Sequence, residues 1–315
     1  MRQLLGFLQF AVAREQHERE DADVLRELQA RPLGLPAGLE VEWLGVAGYR
    51  LTYQDQSLVI DPYFSRASLE GLLRRRPALP DPKRIDRFLR VPGPVVAVLV
   101  GHAHFDHAVD APAVARRYGC SAYGSESLAT LMRVHGLADQ AVAVEPYRRY
   151  ELGPFVVTFV PSAHSKLLMG LGVPFDGEIT CEHLECLTPS AYRCGQAWGI
   201  HIEVAGITIY HQGSANLIDD AIRHTGVDIF LAGVTGRGFT HDYWNRVLRR
   251  LEPTTVVVSH FDDFFRQIDE PMRFATNVHL AGVPDEIRAV SRDFQVAALP
   301  LLGSHMGATT TRQLR

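Results

Sequence analysis

The segment VLVGHAHFDHAVD, residues 98–110, places three histidines and one aspartate within six positions, directly after an aliphatic run. The aliphatic run predicts a buried strand, and alternate residues of an extended chain point the same way. We therefore expect His102 and His104 to reach one ion together, whereas Asp106 and His107 lie where the chain turns and aim at a second point. Imidazole nitrogens with a carboxylate oxygen are the donors expected for Zn²⁺ or a similar ion. A single histidine usually has hydrogen-bond partners and binds no metal. This alternative does not account for such a cluster.

This cluster carries a resemblance to a known family. HAHFDH resembles the His-x-His-x-Asp-His signature of the metallo-β-lactamase superfamily. The upstream sequence VEWLGVAGYRLTYQDQSLVIDPYFS is similar to the opening strands of its lactonase-like and phospholipase-like hydrolases. The resemblance covers roughly residues 40–300. It implies an α/β fold, a four-layer αββα sandwich, and it is specific for fold and metal but poor for substrate.

The resemblance also implies six metal ligands, one triad for each of two ions. The first triad is His102, His104 and His164, and the second is Asp106, His107 and His260. His164 follows the strand FVVTFVP and His260 ends TTVVVSH, so both lie where a predicted strand runs into a loop. Converging strand ends are the layout that such a site needs. The alternative for either histidine is that it only caps a strand. Zn²⁺ is the expected metal, with Mn²⁺ or Fe²⁺ as alternatives.

One position departs from the superfamily's common pattern. That pattern has a Gly-Asp pair after the hairpin, whose aspartate bridges both ions, and here Ser214 stands in its place. Three interpretations compete: two ions bridged by water or hydroxide alone, one tight and one weak ion, or compensation by Asp219 or His211. A subclass of metallo-β-lactamases with serine there uses an Asp-His-His second site. This ligand set resembles that subclass, which favours two ions.

The predicted chemistry needs no serine or cysteine nucleophile. Two adjacent cations acidify the water between them and stabilise developing negative charge, and we find no Gly-x-Ser-x-Gly elbow. We predict that Asp106 accepts the proton of that water and passes it to the leaving group. His211 and Ser214 are predicted to hydrogen-bond substrate or water, or only to pack. Asp61 is either a partner that orients an imidazole or an ordinary turn aspartate.

The sequence thus predicts a metal-dependent hydrolase that cleaves an ester-like bond: a carboxylic ester, a lactone or a phosphodiester. A glutamate at position 104 would have indicated a di-iron oxygen-reducing site, and His104 is evidence against it. The alternative is a binding protein with little or no catalysis that retains the fold. Six assembled ligands argue against that alternative.

The irregular segment 165–197 is interpreted as a lid insertion that decides substrate choice. Its apolar residues include Leu167, Leu168, Met169, Leu171 and Phe175. Together with Lys166 and Arg193, they suit a small-molecule substrate with an apolar and an anionic part, or they only pack the lid down. The loop GVTGRGFTHDYW, with Thr235, Arg237 and His241, is expected near the mouth of the site.

Composition limits the other functions. The net charge of −4 offers no basic field for nucleic acid. Four cysteines in 315 residues do not indicate a disulfide framework, so a reducing cytoplasm is the simpler expectation. A structural zinc on the last three cysteines and His183 is a weaker alternative, because their spacing matches no recognised zinc motif.

Three regions are predicted: an N-terminal helical arm over 1–38, a catalytic domain over 39–302 and a tail over 303–315. A surface helix is favoured over a secretory signal at the start of the arm. The arm also suggests self-association into a homo-oligomer, or less readily contact with a membrane.

Helical spacing and turn residues outline the elements of the catalytic domain. Three antiparallel strands are predicted from Val41 onward, with one short helix in the Arg- and Pro-rich segment 64–93. Further helices are predicted over 110–118, 125–136, 240–251 and 283–291. Thr240 is predicted as the N-cap of the third of these helices.

Overall fold

The computed structural model describes residues 14–167, 170–276 and 278–306. The predicted helix over the first 13 residues lies outside the described residues, as do Leu168, Met169 and most of the predicted tail. None of the helices in the described ranges combines the length and the apolar character that crossing a bilayer requires.

Two seven-stranded sheets form the centre of the molecule. The strands of the first sheet are β1 (Glu40–Gly45), β2 (Gly48–Tyr53), β3 (Gln56–Ile60), β4 (Val95–Leu99), β5 (Ser121–Gly124), β6 (Ala141–Ala143) and β14 (Ser304–Met306). Their order is β14-β1-β2-β3-β4-β5-β6. Strands β14 to β3 pair antiparallel, and β3 to β6 pair parallel.

The second sheet repeats this plan. Its strands are β7 (Arg149–Leu152), β8 (Phe155–Ser162), β9 (Ala197–Val204), β10 (Ile207–Gln212), β11 (Ile229–Gly233), β12 (Thr255–Ser259) and β13 (Gln295–Ala298). The order is β13-β12-β11-β10-β9-β8-β7, with β7 to β10 antiparallel and β10 to β13 parallel. Strands β8, β10 and β12 therefore end at the same edge of this sheet.

Eight α-helices and six 3₁₀ turns lie in the described residues. The helices are α1 (Arg14–Gln29), α2 (Leu69–Leu73), α3 (Pro82–Phe88), α4 (Phe105–Ala108), α5 (Ala111–Tyr118), α6 (Glu126–Val134), α7 (Tyr243–Leu251) and α8 (Val283–Arg288). The 3₁₀ turns are Ala138–Gln140, Leu184–Cys186, Pro189–Ala191, Asp219–Ala221, Arg237–Phe239 and Leu280–Gly282.

Apolar side chains join the layers. Leu58 and Leu99 of the first sheet and Phe159 of the second belong to one buried cluster between the sheets, and Leu25 and Leu28 of α1 belong to the same cluster. A second cluster lies on the outer face of the first sheet, where α5 and α6 contact β4, β5 and β6. Helices thus cover both outer faces, and the predicted αββα sandwich is confirmed.

Two-residue hairpins set the register of both sheets. The β9–β10 turn is Ala205-Gly206, with φ of 52° and 81°. Gln54 and Asp55 form the β2–β3 turn with φ of 50° and 59°. Paired positive φ angles match the right-handed twist of the flanking strands.

Some local predictions were wrong. Segment 64–93 contains two short helices, because Ser68 accepts a hydrogen bond from Gly71 N and Asp81 accepts one from Lys83 N, so each helix has its own N-cap. Thr240 does not cap α7, since its Oγ1 donates to the carbonyl of Ala215 at 2.6 Å. Residues 304–306 of the predicted tail pair with β1 as an edge strand.

Candidate metal centre

The ends of three strands carry the predicted ligands to one region of the molecule. Strand β4 runs into the segment with His102 and His104, and α4 starts directly after it. Asp106 and His107 lie on this one-turn helix. His164 follows β8 and His260 follows β12, so the second sheet supplies the remaining two histidines.

The first predicted triad is assembled. The ring centroid of His102 lies 4.8 Å from that of His104 and 4.7 Å from that of His164, and the last two rings are also 4.7 Å apart. Potential ligand atoms of all three lie within 4.8 Å of one another. The predicted ligand from the distant β8 therefore meets the HAHFDH motif.

The second predicted triad is assembled beside the first. Asp106 Oδ2 lies 3.6 Å from His107 Nε2 and 3.5 Å from His260 Nε2. The His102 and His107 ring centroids are only 3.8 Å apart, which makes the two triads adjacent. All six predicted ligands thus surround one small region.

Backbone contacts fix the orientation of the imidazoles. His104 Nε2 donates to the carbonyl of Pro174 at 2.8 Å, and His164 Nδ1 donates to that of Ser165 at 2.7 Å. A hydrogen bond on one ring nitrogen leaves the other as the acceptor that binds a metal. His260 has a φ of 58°, and its backbone N–H donates to Val46 O at 2.8 Å. This non-glycine residue is held in the left-handed region by its surroundings.

Asp61 orients the second triad. Its Oδ2 accepts a hydrogen bond from His107 Nδ1 at 2.8 Å, and its Oδ1 accepts one from Gly101 N at 2.7 Å. Asp61 is fully buried at the end of β3 and has a φ of 43°. Of the two interpretations of this residue, the geometry supports an orienting partner rather than an ordinary turn aspartate.

The three imidazoles of the first triad and the carboxylate of Asp106 have the protonation states that a metal requires. Burial lowers the pKa of His102, His104 and His164, that of His164 to about 3, so these imidazoles are neutral near pH 7. Burial alone would raise the pKa of Asp106, but neighbouring histidines hold it well below its usual value. For His107, burial lowers the pKa while Asp106 and Asp61 raise it, and the net direction is upward.

These residues fit a metal ion. His102 Nε2 is buried and has no hydrogen-bond partner among the described residues, and such a group is costly unless something binds it. Neutral imidazoles and an ionised carboxylate are the ligand forms that divalent ions bind. We therefore interpret the two triads as a metal centre.

A cavity of about 140 Å³ opens onto both triads. Its polar lining comes from His104, Asp106, His164, Ser165, Ser214, Thr235 and His260. Its apolar lining comes from Leu72, Phe105, Leu167, Pro174, Phe175, Phe264 and Phe265, with Gly213 at the wall. No lysine or arginine belongs to the lining in the part of the chain that the structure describes.

The segment predicted as a lid lies over this cavity only in part. Leu167 and Phe175 line it, but Leu171 is 81% exposed. Arg193 is exposed and donates to the carbonyl of Asp176 at 3.2 Å. The predicted use of Arg193 for an anionic group therefore has no support in its contacts.

The cysteines of the same segment differ from the prediction. Cys181 and Cys186 form a disulfide, while Cys194 is a buried free thiol. Burial raises the pKa of Cys194 to about 12, and the sulfur atoms of Cys181 and Cys186 are bonded to each other and so are not thiolate ligands. The structural zinc considered from the sequence is not supported.

Ser214 and Gly213 secure the end of β10. Ser214 Oγ accepts a hydrogen bond from Ser165 N at 2.9 Å, which ties the cavity wall to the His164 segment. A Cβ atom at Gly213 would lie 3.0 Å from both Asp61 Oδ2 and His107 Cε1. A side chain at position 213 would therefore crowd the Asp61–His107 pair.

Two predicted contributors lie elsewhere. His211 is fully buried behind Asp61, and its Nε2 donates to Ala47 O at 2.9 Å, so it supports the β1–β2 turn rather than contacting substrate. Asp219 pairs with Arg246 and Arg250 near the surface, so it does not replace the missing bridging carboxylate.

The loop after β11 contributes one residue of the three predicted at the mouth. Thr235 lines the cavity, and its Oγ1 donates to the carbonyl of His260. Arg237 turns instead to Glu286 and to the carbonyl of Val278. His241 is exposed beyond the following turn.

Several apolar lining residues escaped sequence reasoning. Phe264 and Phe265 come from the irregular loop FDDFF after β12, and Leu72 comes from α2. The sequence signal for the two phenylalanines was their position in FDDFF, four and five residues beyond the final histidine ligand.

Comparison with known proteins agrees with this geometry. The Beta-lactamase superfamily domain matches residues 40–260, which contain all six predicted ligands. The chain therefore belongs to the metallo-β-lactamase superfamily of hydrolases, as the resemblance implied.

Curated relatives match most of the chain. A UPF0173 metal-dependent hydrolase of Anaeromyxobacter dehalogenans (strain 2CP-C) is 28% identical over 272 residues, which is 82% of this chain and 83% of the relative. A protein of the same description from Polynucleobacter asymbioticus is 25% identical over 279 residues, or 85% of each chain.

Solved structures with similar folds are more distant in sequence. The metallo-beta-lactamase fold protein YhfI from Bacillus subtilis has a TM-score of 0.51 at 14% identity, over 85% of this chain and 99% of its own. CmlA, a diiron beta-hydroxylase from Streptomyces venezuelae, has a TM-score of 0.55 at 13% identity, over 86% and 54%. At these identities the likeness establishes the fold alone.

Proposed function

We propose that the protein is a metal-dependent hydrolase with two bound metal ions, Zn²⁺ being favoured over Mn²⁺ and Fe²⁺, that cleaves an ester-like bond in a small apolar molecule. The main support for this proposal is the pair of adjacent ligand triads at the base of a cavity whose walls are largely apolar. Bound cations supply acidified water and polarise the electrophilic oxygen of the substrate.

Asp106 is suited to act as the general base. Its carboxylate lines the cavity, and neighbouring histidines keep it ionised although burial alone would raise its pKa. An ionised group in contact with the substrate space can accept the proton of the attacking water and deliver it to the leaving group. Ser214 lines the same space, where its Oγ accepts from Ser165 N at 2.9 Å and lies 3.3 Å from Ser165 Oγ. A substrate oxygen would compete with Ser165 Oγ for its hydroxyl proton.

The lining favours a neutral carboxylic ester or lactone over a phosphodiester. Phosphate sites are commonly built with arginine or lysine clamps, and the described lining contains neither. Phe175, Phe264 and Phe265 instead offer an apolar surface to an acyl or alkyl group.

A substrate series with and without chelator tests this function. We expect p-nitrophenyl acetate, butyrate and hexanoate to be hydrolysed with Zn²⁺, with kcat/KM rising by up to about fourfold per added methylene. Phe265→Ala should reduce this gain, because it removes apolar wall from the cavity. Bis-p-nitrophenyl phosphate should be a poorer substrate than the carboxylic esters.

The variant Asp106→Asn tests whether Asp106 is the general base. We expect kcat to fall by about 10²–10⁴-fold while the first triad still binds metal. Unchanged turnover would remove Asp106 from this role. Absence of chelator-sensitive turnover on every ester and lactone would favour the alternative, a binding protein that retains the fold.

A further inference from the structure

A second group of metal-ligating side chains lies where the N-terminal helix meets the catalytic domain. His17 and Glu20 are on α1, and His279 lies in the loop before α8. One ligand atom from each of the three lies within 4.8 Å of the others. Neither sequence reasoning nor the proposed hydrolase function uses these residues.

The spacing along α1 brings two of the three together. Residues three apart in a helix are neighbours on one face, and His17 Nδ1 lies 3.7 Å from Glu20 Oε2. The ring of His279 approaches that of His17 edge-on, with centroids 5.1 Å apart. In a tetrahedral zinc site, ligand distances of about 2.0–2.2 Å place neighbouring donor atoms roughly 3.3–3.6 Å apart. Small side-chain rotations would therefore bring the three donors onto one ion.

The surroundings suit a cation. Asp21 is buried, lies 3.8 Å from His279 Nδ1, and accepts a hydrogen bond from Ala281 N at 2.7 Å. A carboxylate beside an imidazole is the common outer partner of a metal-bound histidine. The loop is fixed from its other side, because Arg237 Nη2 donates to the carbonyl of His279 at 3.0 Å.

The position of these three residues indicates what a bound metal ion would do. The buried apolar residues of α1 are Leu25 and Leu28, both in its second half. Buried apolar side chains therefore hold the helix to the domain only after its first two turns. His17 and Glu20 lie in those earlier turns, at the point where apolar anchoring ends.

We propose that His17, Glu20 and His279 form a metal site that fastens the first turns of α1 to the catalytic domain. Two imidazoles and one carboxylate select Zn²⁺ or a similar transition ion rather than Ca²⁺ or Mg²⁺. All three side chains are partly exposed, so water completes the coordination. This site is separate from the candidate metal centre and does not depend on the proposed hydrolase function.

Metal binding to variants of the full-length chain tests the proposal. His17→Ala keeps a good helix former, and His279→Asn suits the positive φ of 45° at that position. After equilibrium dialysis against Zn²⁺, each variant should bind one equivalent fewer than the wild-type protein. His183→Ala, at an exposed histidine outside both sites, is the matched control and should bind as the wild type does.

Hydrogen–deuterium exchange reports whether the ion fastens the helix. At Zn²⁺ ten times above its Kd, exchange in the first turns of α1 should slow by about tenfold in the wild type and remain unchanged in both variants. Ester hydrolysis should be unaffected by either substitution. Equal zinc content in wild type and variants, or equal slowing of exchange, would overturn the proposal.

Discussion

Asp61 links two strand ends to the candidate metal centre through its two carboxylate oxygens. One accepts from the N–H of Gly101 and the other from Nδ1 of His107. This arrangement fixes the His107 ring with Nε2 turned toward Asp106. Asp61 therefore influences metal binding without being one of the predicted ligands.

Replacing Asp61 by asparagine should weaken the second triad. The amide has one acceptor oxygen where two hydrogen bonds must be accepted, so His107 loses its fixed orientation. We expect metal affinity at this triad to fall by about 10–100-fold, measured by competition with a chelating dye. Asp55→Asn is the matched control, because Asp55 also has a positive φ, of 59°, but lies in a surface turn. Equal affinities in both variants would contradict this role for Asp61.

Residue types and spacing made the centre predictable at this scale. His102 to His107 form one local motif, and the two distant histidines each end an aliphatic strand. The position of His211 was not predictable, because adjacent strand residues face opposite sides and the sequence does not say which side carries the cavity. The burial of Asp61 likewise follows from the convergence of β3 and β4 rather than from its own neighbours.

At the scale of elements, the end of β10 depends on the size of one residue. Gly213→Ala would place a Cβ atom 3.0 Å from Asp61 Oδ2 and His107 Cε1. We expect a loss of about 1–3 kcal/mol in the free energy of unfolding, with weaker metal binding. Gly238→Ala is the control, since nothing lies within 4 Å of its added Cβ. Thermal unfolding and dye competition measure both effects, and equal behaviour of the two variants would contradict the crowding.

The segment after β3 is held by Asp110 at the start of α5. Its Oδ2 accepts hydrogen bonds from Phe64 N and Ser65 N at 2.5 and 2.8 Å. Burial raises the pKa of Asp110 from 3.8 to about 6, and Asp81 adds to the increase. In the folded protein this carboxyl thus keeps its proton to a higher pH than in the unfolded chain.

This difference predicts a pH dependence of stability. The folded state binds more protons between about pH 4 and pH 6, so the contribution of Asp110 is fully present below this range and is lost as the pH rises through it. Asp110→Asn cannot ionise, so its stability relative to wild type should increase from about pH 4 to pH 7. Urea unfolding of chelator-treated proteins measures it, with the exposed Asp139→Asn as control. A constant difference across this range would contradict the prediction.

Element boundaries followed from periodicity where packing is regular. Strands β1 to β4, β8 and β12 and helices α5, α6 and α8 were predicted within a few residues, because their apolar patterns match their burial. Strand β14 was not predicted. The loop with Phe264 and Phe265 has no period, so its contribution to the cavity depends on tertiary packing alone. Thr240 was mistaken for a cap because its hydroxyl serves a distant carbonyl instead.

On the scale of the whole molecule, the metal centre joins the two sheets. The first sheet leads into the HAHFDH motif, and the second sheet supplies His164 and His260. An ion bound by either triad therefore connects chain segments from both halves. Binding to the folded state alone stabilises it by about 4 kcal/mol at 1,000 times the Kd.

Removal of metal should accordingly lower thermal stability. We expect chelation to reduce the Tm by at least about 5 °C, and excess Zn²⁺ to restore it. The measurement uses the His17→Ala variant, so that the proposed site on α1 does not contribute. An unchanged Tm after verified removal of metal would show that the centre does not hold the sheets together.

Anomalous diffraction from a zinc-containing crystal, recorded on both sides of the zinc absorption edge, tests the central claim most directly. At the candidate metal centre the account predicts one peak among His102, His104 and His164 and another among Asp106, His107 and His260, separate from any peak at the proposed site on α1. The account would be contradicted if neither position showed a peak, or if the side chains of His164 and His260 turned away from the HAHFDH motif.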